Sequence, residues 1–176
     1  MNKNRTYWLA IVIGLCCSVS LSAQSFHSLE LEGASGRGPL QVLQGKKVLI
    51  VLSAVDTTVD FTGLDDLQKT YGDLVVVELP VKRLSKAVAL PKPVNTLLLV
   101  AQETADSTDT NGRLLRWLTQ KGGNQHFEVE KLEVGQKFFV DGKGELYAIL
   151  PPDFTLTDPR IHAVLTRTAF PEPDNN

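Results

Sequence analysis

The sequence predicts a three-layer α/β domain, a sheet with helices packed on both faces, and three observations carry that prediction. Lys47 to Ala54 (KVLIVLSA), Leu74 to Leu79 (LVVVEL) and Thr96 to Ala101 (TLLLVA) are nearly unbroken aliphatic and β-branched runs, the composition of strands covered on both faces. Between the first two, Thr58 to Gly72 carries Phe61, Leu64, Leu67 and Tyr71 at spacings of three and four, which predicts an amphipathic helix with Asp65 and Asp66 facing out and a glycine stop. Toward the C-terminus, Asp141-Gly142-Lys143-Gly144 separates Gln136–Val140 from Glu145–Leu150 and predicts an antiparallel hairpin. Strand–helix–strand units closed by a hairpin and a final helix make three layers around one sheet.

The remaining elements follow in order. Phe26 to Glu32 alternates weakly and reads as a strand, broken by Gly33-Ala34-Ser35-Gly36-Arg37-Gly38-Pro39. A glycine-rich phosphate cradle should lead directly into a helix; this one leads to Pro39 and then a strand, so it is read as a hairpin turn. After a polar loop, Arg113 to Lys121 sets Leu114, Leu115, Trp117 and Leu118 on one side and meets Gly122-Gly123 as a cap. Asp158 to Thr168 supplies a last short helix with Ile161, Val164 and Leu165 inward, and 171–176 reads as a disordered tail.

The N-terminus has its own pattern. Lys3 and Arg5 precede an apolar run from Trp8 to about Leu21, followed by Ser22-Ala23-Gln24, the charged, apolar, then small-residue order of a secretory signal with cleavage expected after Ala23. A membrane anchor needs about 20 apolar residues, and this run is shorter and interrupted by Ser18, Ser20 and Ser22. Acylation of a cysteine wants a small residue before it, whereas Leu15 precedes Cys16 and Cys16 precedes Cys17. Residues 1–23 are therefore read as a signal peptide and 24–170 as one domain, exported to the periplasm or beyond the cell.

That leader decides which chemistry remains. Both cysteines and the only methionine lie inside it, so the mature chain is expected to contain no sulfur, which excludes disulfides, thiol catalysis, cysteine–metal sites and Fe–S clusters. The full chain has 18 basic and 20 acidic residues; loss of Lys3 and Arg5 takes the net charge from −2 to −4, which argues against nucleic acid or an anionic membrane as partner.

Four stretches, collinear across nearly the whole mature chain, resemble the glutathione peroxidase family. They are Gly45-Lys46-Lys47-Val48-Leu49-Ile50-Val51 with Ser53; Leu64-Asp65-Asp66-Leu67-Gln68-Lys69-Thr70-Tyr71 before Leu74-Val75-Val76-Val77; Leu114-Leu115-Arg116-Trp117-Leu118; and Gln136-Lys137-Phe138-Phe139-Val140-Asp141-Gly142. The resemblance implies a thioredoxin-like fold with a central mixed sheet, and it implies a reactive cysteine after the first buried strand. Alignment on the helix puts that cysteine at Val55; alignment on Gly45-Lys46 puts it at Thr57. The family's glutamine falls on Arg83, a resolving cysteine would fall on Val81, and its Trp-Asn pair falls on Glu133 and Val134. Peroxide reduction needs a thiolate or selenolate, so the resemblance implies descent from a peroxidase with loss of its activity. It also implies that Arg83 and Glu133 converge, with an ion pair between them as the expectation.

Other chemistry is weaker. Thr57 or Thr58 offers a hydroxyl beside Asp56 but no histidine base, and Asp56 or a neighbouring threonine is read as the cap of the following helix. His126, Glu128 and Glu130 would share one face of a strand, a conceivable metal edge, read as solvated. Ser107 to Gly112 resembles a calcium loop, yet Ser107 and Leu118 stand where carboxylates are required; it is read as a polar loop with Asn111-Gly112 as a turn or cap. Lys82, Arg83 and Lys86 read as solvated surface. No cofactor or metal is expected. Two functions remain: a catalytically inactive exported domain that binds a protein or envelope component, or a glutathione peroxidase-like oxidoreductase with a rebuilt, sulfur-free active site.

Overall fold

A computed structural model describes residues 24–33, 36–54, 59–81, 98–101 and 108–167. Five strands form the main sheet: β3 (Lys47–Ser53), β4 (Leu74–Pro80), β5 (Leu98–Val100), β6 (Lys137–Val140) and β7 (Leu146–Leu150), in the order β5-β4-β3-β6-β7. The sheet is mixed. β3, β4 and β5 run parallel, while β6 pairs antiparallel with both β3 and β7. A separate hairpin, β1 (Glu30–Gly33) with β2 (Gly36–Pro39), is bonded from Glu30↔Pro39 to Gly33↔Gly36, and a bridge from Gly33 to Ala101 ties it to the main sheet's β5 edge.

The central strand explains the layering. Successive strand side chains point to opposite faces, and every residue of β3 from Val48 to Ser53 is buried. Val48, Ile50 and Leu52 pack into one apolar cluster with Leu114, Trp117 and Leu118 of α2 (Thr110–Thr119). Leu49 and Val51 pack into the other, with Leu64 and Leu67 of α1 (Leu64–Thr70) and Ile161 and Leu165 of α4 (Pro159–Thr166). Helices therefore cover both faces. Two helices also carry their expected inward residues, and Asp65 and Asp66 are exposed as expected.

Several boundaries differ from the expectation for identifiable reasons. The helix read over Thr58 to Gly72 is α1 alone, because Gly63 sits at φ 90° as its N-cap, a left-handed conformation that cannot continue a helix. A Cβ at Gly63 would lie 2.6 Å from the Thr157 side chain, so this position also lets the approach to α4 come close. Upstream of Gly63, Asp60 accepts from the Thr62 amide at 2.8 Å and makes the turn; Asp56, Thr57 and Thr58, read as possible caps, lie outside the described residues. Phe26 to Ser28 is a short 3-10 turn capped by Ser25 rather than the start of a strand, since Phe26 is withdrawn into the core with its ring 5.5 Å from that of Trp117.

α2 begins three residues early. Its cap is Asp109, which accepts from the Gly112 amide, so Asn111 and Gly112 form the first turn rather than a preceding one. Asn111 is buried for a reason invisible in the linear order: its side chain accepts from the Glu32 amide at 2.9 Å and donates to the Glu32 carbonyl at 2.8 Å, completing the edge of β1 as another strand would. The glycines Gly122 and Gly123 do not cap α2, which ends at Gln120; they lie inside a one-turn α3 (Lys121–Asn124), closed by Gln125 at φ 70°. A Cβ on Gly123 would stand 3.3 Å from the Trp117 backbone. His126 to Glu130 is irregular rather than a strand: Phe127 and Val129 turn into the first cluster, and Glu128 accepts from the Lys121 amide at 2.8 Å.

α4 opens as expected, with Asp158 as N-cap and Pro159 in the first turn. Asp158 accepts from the Arg160 amide and from its guanidinium at 2.7 Å, and these bonds hold its carboxyl down at about 2. A depressed carboxyl stabilises the fold above its unfolded value near 3.8 and loses that contribution as pH falls toward about 2. Asp158→Ala is therefore expected to raise the midpoint pH of acid unfolding, followed by far-ultraviolet circular dichroism, with little change in sensitivity above pH about 5.

Candidate functional site

The carboxyl ends of β3 and β4 form the edge at which the resemblance places a thiol. Val81 donates its amide to the Ser53 carbonyl at 2.8 Å, extending the β3–β4 pairing past Pro80. On the other flank, Leu52 donates to the Gln136 carbonyl at 3.0 Å and accepts from the Gly135 amide at 2.8 Å. Gly135 adopts φ 86°, and a Cβ there would meet Pro152 at 3.1 Å, so the turn from Glu133 to Gln136 is a glycine turn fastened to the end of β3. Gln136 Oε1 closes it by accepting from the Glu133 amide at 3.3 Å.

Of the residues singled out from the sequence, Glu133 and Val134 are thus brought beside the end of β3. Val55, Thr57 and Arg83 lie outside the described residues, as do Asp56, Thr58, Lys82 and Lys86. Glu133 is half-exposed and accepts from Lys131 Nζ at 2.6 Å, an exposed pair worth well under about 1 kcal/mol. Among the described residues no group of three or more His, Cys, Asp or Glu could hold a metal ion.

The structure also assembles polar side chains that the sequence reading passed over. Glu78 of β4 and Lys137 of β6 stand opposite Val51 on its two sides, and strand alternation puts all three on one face, with Ser53 two residues further along. Exposure is 0% for Ser53, 3% for Glu78 and 4% for Lys137. Lys137 Nζ donates to the Gly135 carbonyl at 2.7 Å and reaches the Pro152 carbonyl at 3.5 Å. Burial pushes its pKa down, against an opposing pull from Asp153. Among the described residues, Ser53 Oγ and Glu78 Oε2 have no hydrogen-bond partner. A signal existed: Glu78 is a lone carboxylate inside the apolar run LVVVEL, and charged residues are almost never buried without cause.

Chemically the cluster offers a carboxyl, an amine and a hydroxyl beneath the strand ends, and no thiol among the described residues. The three-layer mixed sheet with this edge defines a thioredoxin-like α/β domain. Solved structures similar to it include Trgpx in its apo form (TM-score 0.57, 21% identity, covering 82% of this chain and 98% of that one) and T. cruzi GPX1 (0.56, 14%, 80% and 95%). BsSco, of the Sco family of cytochrome c oxidase assembly proteins, is also similar (0.50, 10%, 82% and 94%). The fold is thus shared with glutathione peroxidase-like and Sco proteins. No family model and no curated protein matches the sequence.

Two outcomes follow. An unpaired buried polar atom costs about 1–3 kcal/mol, so Glu78→Met, close in shape and without the orphaned oxygen, is expected to raise the unfolding free energy in urea by about 1 kcal/mol or more; a loss of stability would show that the carboxyl holds a partner. For Lys137, a pKa lowered in the fold means that the unfolded chain binds more protons, so stability rises with pH up to the unfolded value of 10.5. Lys137→Met is expected to flatten that rise in urea midpoints measured from neutral pH upward.

Proposed function

We propose that the protein is an exported, catalytically inactive thioredoxin-like domain that acts by binding a protein or an envelope component in the periplasm or outside the cell. The observation that carries this reading is that its only thiols, Cys16 and Cys17, lie inside the leader, so the cleaved chain has no sulfur at the strand ends where peroxide chemistry would begin. Replacement of the remaining site positions agrees with it: the resemblance puts Val55 or Thr57, Arg83, Glu133 and Val134 where a thiol and its hydrogen-bonding partners belong. Among the described residues, Glu133 pairs with Lys131. Among the described residues no helix is long and apolar enough to cross a membrane.

A second reading, a glutathione peroxidase-like oxidoreductase rebuilt without sulfur, is favoured by one observation, the buried group of Glu78, Lys137 and Ser53 at the same edge. Peroxide consumption separates the two. The purified chain from Gln24 onward is expected to show no turnover of hydrogen peroxide with glutathione or thioredoxin as reductant, and Val55→Cys and Thr57→Cys are expected to remain inactive because the partner positions stay replaced. Turnover by the unaltered chain would establish the second reading; efficient turnover by either cysteine variant would overturn the placement of the other site positions.

A further inference from the structure

We propose that Gln24 is a modification site: once exposed as the N-terminal residue, it cyclises to pyroglutamate. The inference rests on the reading that the leader is cleaved after Ala23. An N-terminal glutamine carries an amine and a side-chain amide that close a five-membered ring. The α-amine nitrogen attacks Cδ, an N–Cδ bond forms, the Cδ–Nε2 bond breaks, and ammonia leaves with a proton from the amine. No oxidant or second reactant is needed.

The structure supplies what that closure requires at this position. Gln24 is exposed, and Trp117 Nε1 donates to its backbone carbonyl at 2.6 Å, which fixes the main chain through a group that does not take part in the ring. Gln24 borders an open cleft of about 180 Å³ lined also by Trp117, Asn124, His126, Lys143 and Glu145, so its side chain has room to fold back on the amine. Immediately downstream the chain is fastened: the Ser25 carbonyl accepts from the Ser28 amide at 3.0 Å and from its hydroxyl at 2.7 Å, and Phe26 is fully buried. The main chain is thus held from Gln24 through Ser28, so a chain cleaved after Ala23 presents a fastened N-terminus to an aminopeptidase.

The test uses the full-length chain expressed in a secreting host, with intact mass and N-terminal sequencing of the exported product. The expected result is the mass of residues 24–176 less one ammonia, with sequencing blocked until a pyroglutamyl peptidase removes the first residue and releases Ser25. Full mass after prolonged incubation, with Gln-Ser-Phe read directly, overturns the cyclisation and leaves the cleavage reading standing. A product that begins elsewhere, or keeps residues 1–23, overturns the cleavage reading and this inference with it. Gln24→Ala is expected to give a readable Ala-Ser-Phe at full mass; an ammonia deficit persisting in that variant would place the loss at another residue and overturn the assignment.

Discussion

The burial of β3 on both of its faces is the constraint on which the rest of the molecule depends. A strand with a single buried face needs one covering layer, but from Val48 to Leu52 each side chain is removed from water, so helices must lie above and below. Burying one Val, Leu or Ile contributes about 1.5–3 kcal/mol, a large term against the marginal stability of a domain. The covering helices need connections that cross over the sheet, and the parallel pairing of β3 with β4 through α1 is one of them. Antiparallel β6 and β7 then occupy the remaining side of β3, where a short turn at Asp141 to Gly144 suffices.

Around the carboxyl end of β3 the apolar packing of the sheet is broken by side chains from three strands. Glu78, Ser53 and Lys137 are buried side chains on one face, two of them with an oxygen that has no partner among the described residues. Ordinary stability would favour aliphatic residues there. Such groups gather at strand ends, beside a glycine turn held to the end of β3, where sequence-level packing rules are broken.

At the opposite end of the sheet, the first described residues act as a clasp. Phe26 fills the cluster beside Trp117, and the His27 ring nitrogens lie 3.2 Å from the Gly142 carbonyl and 3.4 Å from that of Leu40. Trp117 holds Gln24. One aromatic residue of α2 thus links the first described residues to the core.

The sequence by itself determined the layer architecture, because unbroken apolar runs at Lys47 and Leu74 and a turn at Asp141 to Gly144 are local statements about burial and backbone. It also determined the location of every cysteine, and with it the chemistry open to a cleaved chain. Helix boundaries were only partly legible: Gly63 and Gln125 act through backbone angles that a hydrophobic period does not encode, and Asn111 is buried by a partner 79 positions away. The candidate site was legible at Glu133 and Val134, through resemblance; Glu78 left a trace as a lone carboxylate in an apolar run, but its meeting with Lys137 was illegible. Those two meet across Val51 only because β4 and β6 flank β3, a neighbour relation that strand order creates in three dimensions and that no spacing along the chain records.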